Sequence, residues 1–455
     1  GMRILKQILI FTIIIFASAQ AWGEELSKNK NLSLSLNEAI QYAFQNNKEI
    51  KIKSLELDAG KAIILGARSN FLPKLNANLG YKYNGAVLNF GPLSEKKDMG
   101  IFVGYQNDNM AGISVDQIVY NGGANITQFN QAKLNLKIQE QTLKIQQEDV
   151  RFDAERLYYG ALLASEVQKI AQNLVDLAQE HYEETEKKYE AGTVSRFDVL
   201  QSKVQVSKLK PQLIRSKTAV DLISAELRKL LGLKMDDTVI LTDKLDYLTT
   251  VMTEKEAVKI AALNNPESIL QLLGIDMEKL GIELAKASNR PQVNAGVNYG
   301  FHSNDVGDMF DDKHENWGAG VSVTIPIFDG FSSKAKVDEA KVRYAQSLLT
   351  KENLDDEIAV RVRRGILDLE KAQSLIDSQK DNIEEAREAL RISQVRYDNG
   401  EGTNLDVLEA QVSLGQVEKN YSEGIFDYLI AVAFLSRTLG VDKDNLTNEK
   451  FFVKK

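Results

Sequence analysis

The chain has 455 residues, with 64 acidic and 56 basic side chains, a formal net charge of −8 and no cysteine. This acidity argues against nucleic acid, whose binding rests on basic patches. Without cysteine, disulfides, thiolate metal sites and lipidation of an N-terminal cysteine are excluded.

Residues 1–21 read as a secretory signal peptide. Arg3 and Lys6 are basic, Ile8 to Phe16 is apolar apart from Thr12, and Ala17, Ala19 and Ala21 offer small-residue cleavage sites at Ala19/Gln20 or Ala21/Trp22. The apolar core falls short of the ~20 residues of a spanning helix. No later segment is apolar enough to span as a helix, so any membrane insertion must use strands.

A first structural repeat is expected over 22–250. Ser35-x-x-Glu38 is a capping box that opens a helix running to the turn at Pro73. Leu75, Ala77, Leu79, Tyr81 and Tyr83 then alternate with Asn76, Asn78, Gly80, Lys82 and Asn84, a period of two that predicts a strand over about 74–84. A turn-rich loop with Gly85, Gly91, Pro92 and the charged run Glu95 to Asp98 leads to a second strand, about 111–120, carrying Ile113, Val115, Gln117 and Val119 on one face.

Tyr120-Asn121-Gly122-Gly123 opens a long helix over 123–191; with no proline between Pro92 and Pro211, it reaches roughly 100 Å. Phe129, Leu136, Leu143, Val150, Leu157, Ala164, Ala171 and Ala178 recur every seventh residue as a coiled-coil seam. Gly192 stops this helix, Ser195 caps a return helix over 195–232, and Asp198 takes the acidic position three residues on. Pro211 predicts a kink or break in the return helix.

The pattern repeats over 251–442. Thr253-x-x-Glu256 matches Ser35-x-x-Glu38, and Asn264-Asn265 matches Asn46-Asn47. After Pro291 a strand over 292–302 alternates Val293, Ala295, Val297, Tyr299 and Phe301 with Asn294, Gly296, Asn298, Gly300 and His302, at a constant separation of 218 from the first strand. A fourth strand, about 317–328, opens with Trp317 and carries Val321, Val323, Ile325 and Ile327. A long helix over 330–399 bears the stripe Leu354, Ile358, Val362, Ile366, Leu369, Ala372 and Ile376. Gly400 ends it, and Thr403, with Asp406 three residues on, caps the return helix over 403–440. Residues 443–455 form a polar tail. The chain thus reads as an internal duplication.

No catalytic, cofactor-binding or metal motif stands out. His181 lies among glutamates and is expected to face solvent. His302 and His314 flank Asp305, Asp308, Asp311 and Asp312, a set whose spacing fits no calcium loop and reads as a solvated loop. Asp198, Asp406 and Glu409 at the hairpin tips fit two compatible readings: charge complementarity at helix N-termini, or a ring of carboxylates selecting cations in a ring-shaped oligomer. The strands fit an outer-membrane barrel whose lipid-facing set is Leu79, Tyr81, Tyr83, Val297, Tyr299, Phe301, Trp317, Val321 and Val323. The alternative is a soluble periplasmic coiled-coil scaffold with its sheet packed on helices. Four strands cannot enclose a lumen, which takes about eight, so the barrel reading requires oligomerisation.

The duplicated Tyr-x-x-Gly-x-x-(Ser/Thr)-x-x-Asp-Val-Leu hairpin (from Tyr189 and Tyr397), the turn Pro326-Ile327-Phe328-Asp329-Gly330 and the Asn-Glu-Ala-Ile start at Asn37 resemble the TolC-like outer-membrane efflux protein family, over essentially the whole mature chain. The resemblance implies a mainly α fold with a membrane β-barrel part. Each protomer of a homotrimer gives four strands to a shared twelve-stranded β-barrel and its helices to a long coiled-coil α-helical barrel in the periplasm.

It further implies a passive conduit, not an enzyme, with no cofactor: the outer-membrane exit duct of a tripartite efflux pump or type I secretion system in a Gram-negative bacterium, working with a periplasmic adaptor and an inner-membrane pump. Asp406 and Glu409 fall at the family's pore constriction. Tyr397 and Asp198 fall where a tyrosine–aspartate pair helps hold the entrance closed. Gly192, Ser195, Gly400 and Thr403 fall at the tips that meet the adaptor. Gly402 stands where some members carry an arginine, so the lock is expected to differ here. The cargo class stays open.

Overall fold

The computed structural model describes residues 31–85, 88–90, 101–103, 107–247 and 252–441. The expected signal peptide (1–21), most of the first inter-strand loop (including Gly91, Pro92 and Glu95 to Asp98) and the polar tail (443–455) lie outside the described residues.

In chain order the elements are β1 (Asn31–Leu34), α1 (Leu36–Asn46), α2 (Lys48–Ser69), β2 (Lys74–Tyr83), β3 (Leu88–Phe90), β4 (Ile101–Val103), β5 (Asn107–Asn121), α3 (Ala124–Glu190) and α4 (Arg196–Leu230). They continue as β6 (Thr238–Leu241), α5 (Glu254–Asn264), α6 (Pro266–Ala287), β7 (Gln292–Ser303), a 3-10 turn (Asp312–His314), β8 (Glu315–Thr324), α7 (Ser332–Asp398) and α8 (Asn404–Leu439). Helices dominate. Lengths recur: α1 and α5 have 11 residues each, α2 and α6 have 22, and α3 and α7 have 67.

The chain divides into two compact units, and neither coincides with a sequence half. One contains the described residues within Gly1–Ile52, Lys144–Asn265 and Asp356–Lys455; the other comprises Lys53–Leu143 and Pro266–Asp355. Each takes matching segments from both halves.

The second unit holds a four-stranded antiparallel sheet in the order β2-β5-β7-β8. Its register places Leu75, Ala77 and Leu79 opposite Val115, Ile113 and Ala111; Val115 and Ile113 opposite Val297 and Tyr299; and Val297 and Tyr299 opposite Ala319 and Trp317. All these side chains share one face, because residues paired across a ladder point the same way. Asn76, Asn78, Ser114, Asp116, Asn298 and Ser322 share the other. A bulge between Ile118 and Tyr120 shifts the β5–β7 register.

Two strands differ from expectation at their ends. β5 starts at Asn107, and β8 starts at Glu315 and stops at Thr324, short of Phe328. Pro326 lacks an amide hydrogen for the ladder and constrains the residue before it. Ile325, Ile327 and Phe328 are exposed beyond the strand.

The first unit is helical, with β1 and β6 paired in parallel. Tyr158 of α3 anchors that pair. Its hydroxyl donates to the Leu34 carbonyl (2.9 Å) and accepts from the Asp243 amide (3.3 Å), and burial pushes its pKa up to about 12. Of the eight α3 seam residues, Val150, Leu157, Ala171 and Ala178 are buried, whereas Phe129, Leu136, Leu143 and Ala164 are half-buried; Ile170, Leu174 and Val175 join Val206, Leu209 and Leu213 of α4 in one cluster. Ile358, Val362, Ile366, Leu369, Ala372 and Ile376 of α7 are buried too. Glycines allow close helix approaches. A β-carbon at Gly415 of α8 would lie 2.4 Å from Leu174 Cδ1, and one at Gly365 of α7 would lie 2.6 Å from Leu435 Cδ2.

Three further expectations are corrected. The helix expected from Ser35 to the Pro73 turn is two helices. Asn47, with ψ 131, ends α1, and its side chain accepts from the amides of Glu49 and Ile50, so it caps α2 as well. Its Nδ2 donates to the Leu230 carbonyl (3.0 Å), and Asn265 does the same to Thr438 (2.8 Å) at the equivalent break. α4 runs through Pro211 without a break, because Pro211 and Ser207, whose carbonyl loses its partner, are on the exposed side. His181 is buried, not solvent-facing, at 2% exposure.

Candidate functional site at the helical hairpins

Both hairpins are built alike. α3 ends in a Schellman turn: Gly192, at φ 76, donates to the Tyr189 carbonyl (2.9 Å), and Thr193 donates to Lys188 (2.9 Å). α7 ends the same way, with Gly400 at φ 76 donating to Tyr397 (3.1 Å) and Glu401 to Arg396 (2.8 Å). The positive φ requires glycine at both positions.

Each return helix then starts with a complete capping box. The Ser195 amide donates to Asp198 Oδ2 (3.0 Å) while the Asp198 amide donates to Ser195 Oγ (3.3 Å). The Thr403 amide donates to Asp406 Oδ2 (2.9 Å) while the Asp406 amide donates to Thr403 Oγ1 (3.2 Å). The amide of Thr403, its hydroxyl and the charge of Arg396 together hold the Asp406 carboxyl below its ordinary pKa. Asp406 is thus anionic at neutral pH, and the cap it supports weakens only as pH falls through the lowered carboxylate range. Glu409, one turn along α8, is exposed, as are Ser195, Gly192, Gly400 and Thr403. A β-carbon at Gly402 would sit 3.1 Å from both Arg396 Cβ and the Tyr397 amide nitrogen, so residue 402 lies tight against the last turn of α7.

Tyr397 and Asp198 have different partners in this single chain. The Asp198 carboxylate serves the Ser195 cap. Tyr397 is buried, its hydroxyl reaches Thr185 Oγ1 (3.4 Å), its ring lies 5.2 Å from that of His181, and the Lys188 ammonium sits 4.4 Å over it.

Behind the tips lies a buried polar cluster that motif reading missed. His181 Nε2 is 2.6 Å from Asn404 Oδ1, which also accepts from Ser202 Oγ (3.0 Å). Asn404 Nδ2 donates to the Asp198 carbonyl (3.2 Å) and to Gln201 Oε1 (3.0 Å). At the exposed edge of the cluster, Lys188 donates to Asp398 (2.7 Å). The cluster joins α3, α4, α7 and α8. A signal was present in the sequence: Thr185 continues the seven-residue seam after Ala178, and His181 falls three residues on, on the same stripe.

The residues expected to face lipid lie on the apolar face of the sheet. Leu79, Tyr81, Tyr83, Val297, Tyr299, Trp317, Val321 and Val323 are all exposed on its apolar face, Leu79 by 85% and Trp317 by 70%. Phe301 is half-buried between Tyr299 and Phe310. At the loop end of the sheet, His302 pairs with Asp108 (2.5 Å), and His314 pairs with Asp308 (3.5 Å). The Asp308 carboxyl accepts from Ser303 Oγ (2.6 Å), which holds its pKa low, and His314 adds to this. Among the described residues no three histidine or acidic side chains gather closely enough to hold a metal ion.

Known proteins match this arrangement. The outer membrane protein TolC of Vibrio cholerae is 19% identical over 443 residues, 96% of each chain. The alkaline protease secretion protein AprF of Pseudomonas aeruginosa is 21% identical, over 91% of this chain and 86% of its own. The open-state structure of the MtrE outer membrane channel of Neisseria gonorrhoeae superposes with a TM-score of 0.74 at 19% identity, covering 89% of both chains. A family model described as outer membrane efflux protein matches residues 39–233 and 262–441, well over half of the chain. The chain belongs to the outer membrane efflux protein family and is an outer-membrane channel.

Proposed function

We propose that three copies of this chain form one conduit, in which each contributes β2, β5, β7 and β8 to a shared twelve-stranded barrel and its long helices to a periplasmic tunnel, and that the equal-length elements of the two halves arose by internal duplication. One observation carries this reading. The four-stranded sheet has an apolar face and a polar face, and along β2 and β8 nearly every residue of both faces is exposed in the single chain. Both strands are also sheet edges, whose free amides and carbonyls call for pairing. A soluble scaffold would lay one face on its own helices. Lipid on one side, water on the other and a neighbouring copy at each edge satisfy all these groups together.

The chemistry is conduction, not catalysis. The relatives named above include a protease secretion protein, which supports a duct working with a periplasmic adaptor at the hairpin tips and an inner-membrane pump. In a closed ring the tips would bring Asp406 and Glu409 of each copy toward the axis, where carboxylates favour cations and repel anions.

Purified in detergent, the protein should run as a trimer and open channels in planar bilayers. Replacing Asp406 and Glu409 together by alanine should reduce cation selectivity and relieve block by divalent ions. A monomer that stays soluble without detergent would overturn the conduit. Unchanged selectivity in the double variant would remove the carboxylate ring while leaving the conduit standing.

A further inference from the structure

We propose that His181 is the positioning residue of the entrance: neutral, it fixes Asn404 and through it the first turns that carry Asp198 and Asp406; protonated, it releases them, so the entrance loosens on acidification. This rests on the conduit reading above.

Asn404 is the first residue of α8, two before Asp406, and its Nδ2 holds the Asp198 carbonyl in the first turn of α4. One side chain therefore sets the spacing of two candidate constriction residues on different helices. Its amide orientation follows from its partners. Nδ2 donates twice, so Oδ1 is the acceptor, receiving Ser202 Oγ–H and the imidazole. His181 accordingly carries its proton on Nε2, the neutral tautomer that completes the cluster. Its Nδ1 is buried with no hydrogen-bond partner among the described residues. A second proton on Nδ1 would put a charged donor where nothing accepts it, in a residue 2% exposed.

The charged surroundings do not cancel this cost. On α3, Glu184 favours the charged form and Lys188 opposes it. On α7, Asp398 favours it but is engaged by Lys188, while Tyr397 presents its ring. α4 presents Ser202 and α8 presents Asn404, both neutral; the nearby carboxylates Asp198 and Asp406 serve their own caps. Burial is the largest influence and holds the imidazole below its ordinary pKa. Proton uptake therefore favours any arrangement that exposes His181. The latch is whole above the ordinary histidine range and weakens as pH falls through it.

The test uses the full-length trimer in planar bilayers, comparing about pH 8 with about pH 5. Wild-type open probability should rise several-fold on acidification. His181→Gln, which can still donate to Asn404 but cannot titrate, should show no rise. A variant that keeps the wild-type response, or a wild type without one, overturns the proposal. Hydrogen exchange of the detergent-solubilised protein is the second measurement. After correction for chemical exchange, amides of the first turns of α4 and α8 should lose protection several-fold in the wild type, with a midpoint in the histidine range. A midpoint in the carboxylate range, or no change, overturns the proposal even if His181→Gln does not fold. If no channels form at any pH, the conduit reading fails, and exchange alone decides the role of His181.

Discussion

Gly122→Ala should destabilise the protein by about 2–5 kcal/mol, the sum of two separate costs. Gly122 joins β5 to α3 at φ 70, a conformation that costs an L-residue roughly 1–2 kcal/mol. A β-carbon there would also lie 2.3 Å from the Ala287 carbonyl oxygen and 2.8 Å from Arg290 Cβ. The first of these is backbone at the end of α6 and cannot swing aside, and overpacking of this kind adds roughly 1–3 kcal/mol. The same junction is held by Arg290 Nη1, which donates to the Gly122 carbonyl (3.0 Å), so a forced shift would also strain that bond.

Two neighbours calibrate the result. Gly123→Ala meets strain without a clash, since φ is 91 but its nearest non-adjacent atom is Arg290 Nη1 at 3.6 Å; it should cost about 1–2 kcal/mol. Gly66→Ala in α2 meets nothing within 4 Å and should be neutral or stabilising by up to about 1 kcal/mol. Urea unfolding of the three variants, followed by circular dichroism, ranks them. If Gly122→Ala falls level with Gly123→Ala, the close approach of α6 to the turn is refuted.

Much of this was legible in the sequence, and what was not has a physical pattern. Features that repeat with a period could be read. The alternation from Leu75 to Tyr83 gave β2 its two faces, the seven-residue seam ran true along α3, and the glycine-then-hydroxyl spacing at 192/195 and 400/403 located both hairpins and their caps. The short elements escaped. β1 and β6 have four residues each, β3 and β4 three, too few to show a period, and β1 and β6 depend on each other across most of the first half of the chain. The break at Asn47 escaped because an asparagine inside a helical pattern is only mildly unfavourable. Its role appears with the distant Leu230 carbonyl it binds. His181 misled because its sequence neighbours are glutamates, whereas burial follows the stripe it shares with Ala178 and Thr185. A polar residue on a seam signals a buried network more reliably than its neighbours signal solvent.

Charge placed on opposite faces of β7 should separate the membrane reading from every soluble one. Val297 lies mid-strand, opposite Val115 and Ala319 on the apolar face; Asn298, the next residue, lies opposite Ser114 and Gly318 on the polar face. The two positions lie side by side between the same two strands and differ chiefly in which way the side chain points. If the apolar face meets hydrocarbon, Val297→Arg pays for a charge near the bilayer midplane, about 2–4 kcal/mol per chain, and a trimer carries that cost three times. The inserted fraction recovered from outer membranes should collapse.

Asn298→Arg should insert normally, because its guanidinium reaches the water-filled lumen, and should instead lower conductance and cation selectivity by adding positive charge to the pore wall. A sheet exposed to water on both faces would tolerate both substitutions alike. A sheet covered on its apolar face by protein would lose stability with Val297→Arg but would have no conductance for Asn298→Arg to change. Only a strand with lipid on one side and a conducting lumen on the other yields failed insertion from one residue and altered permeation from the next.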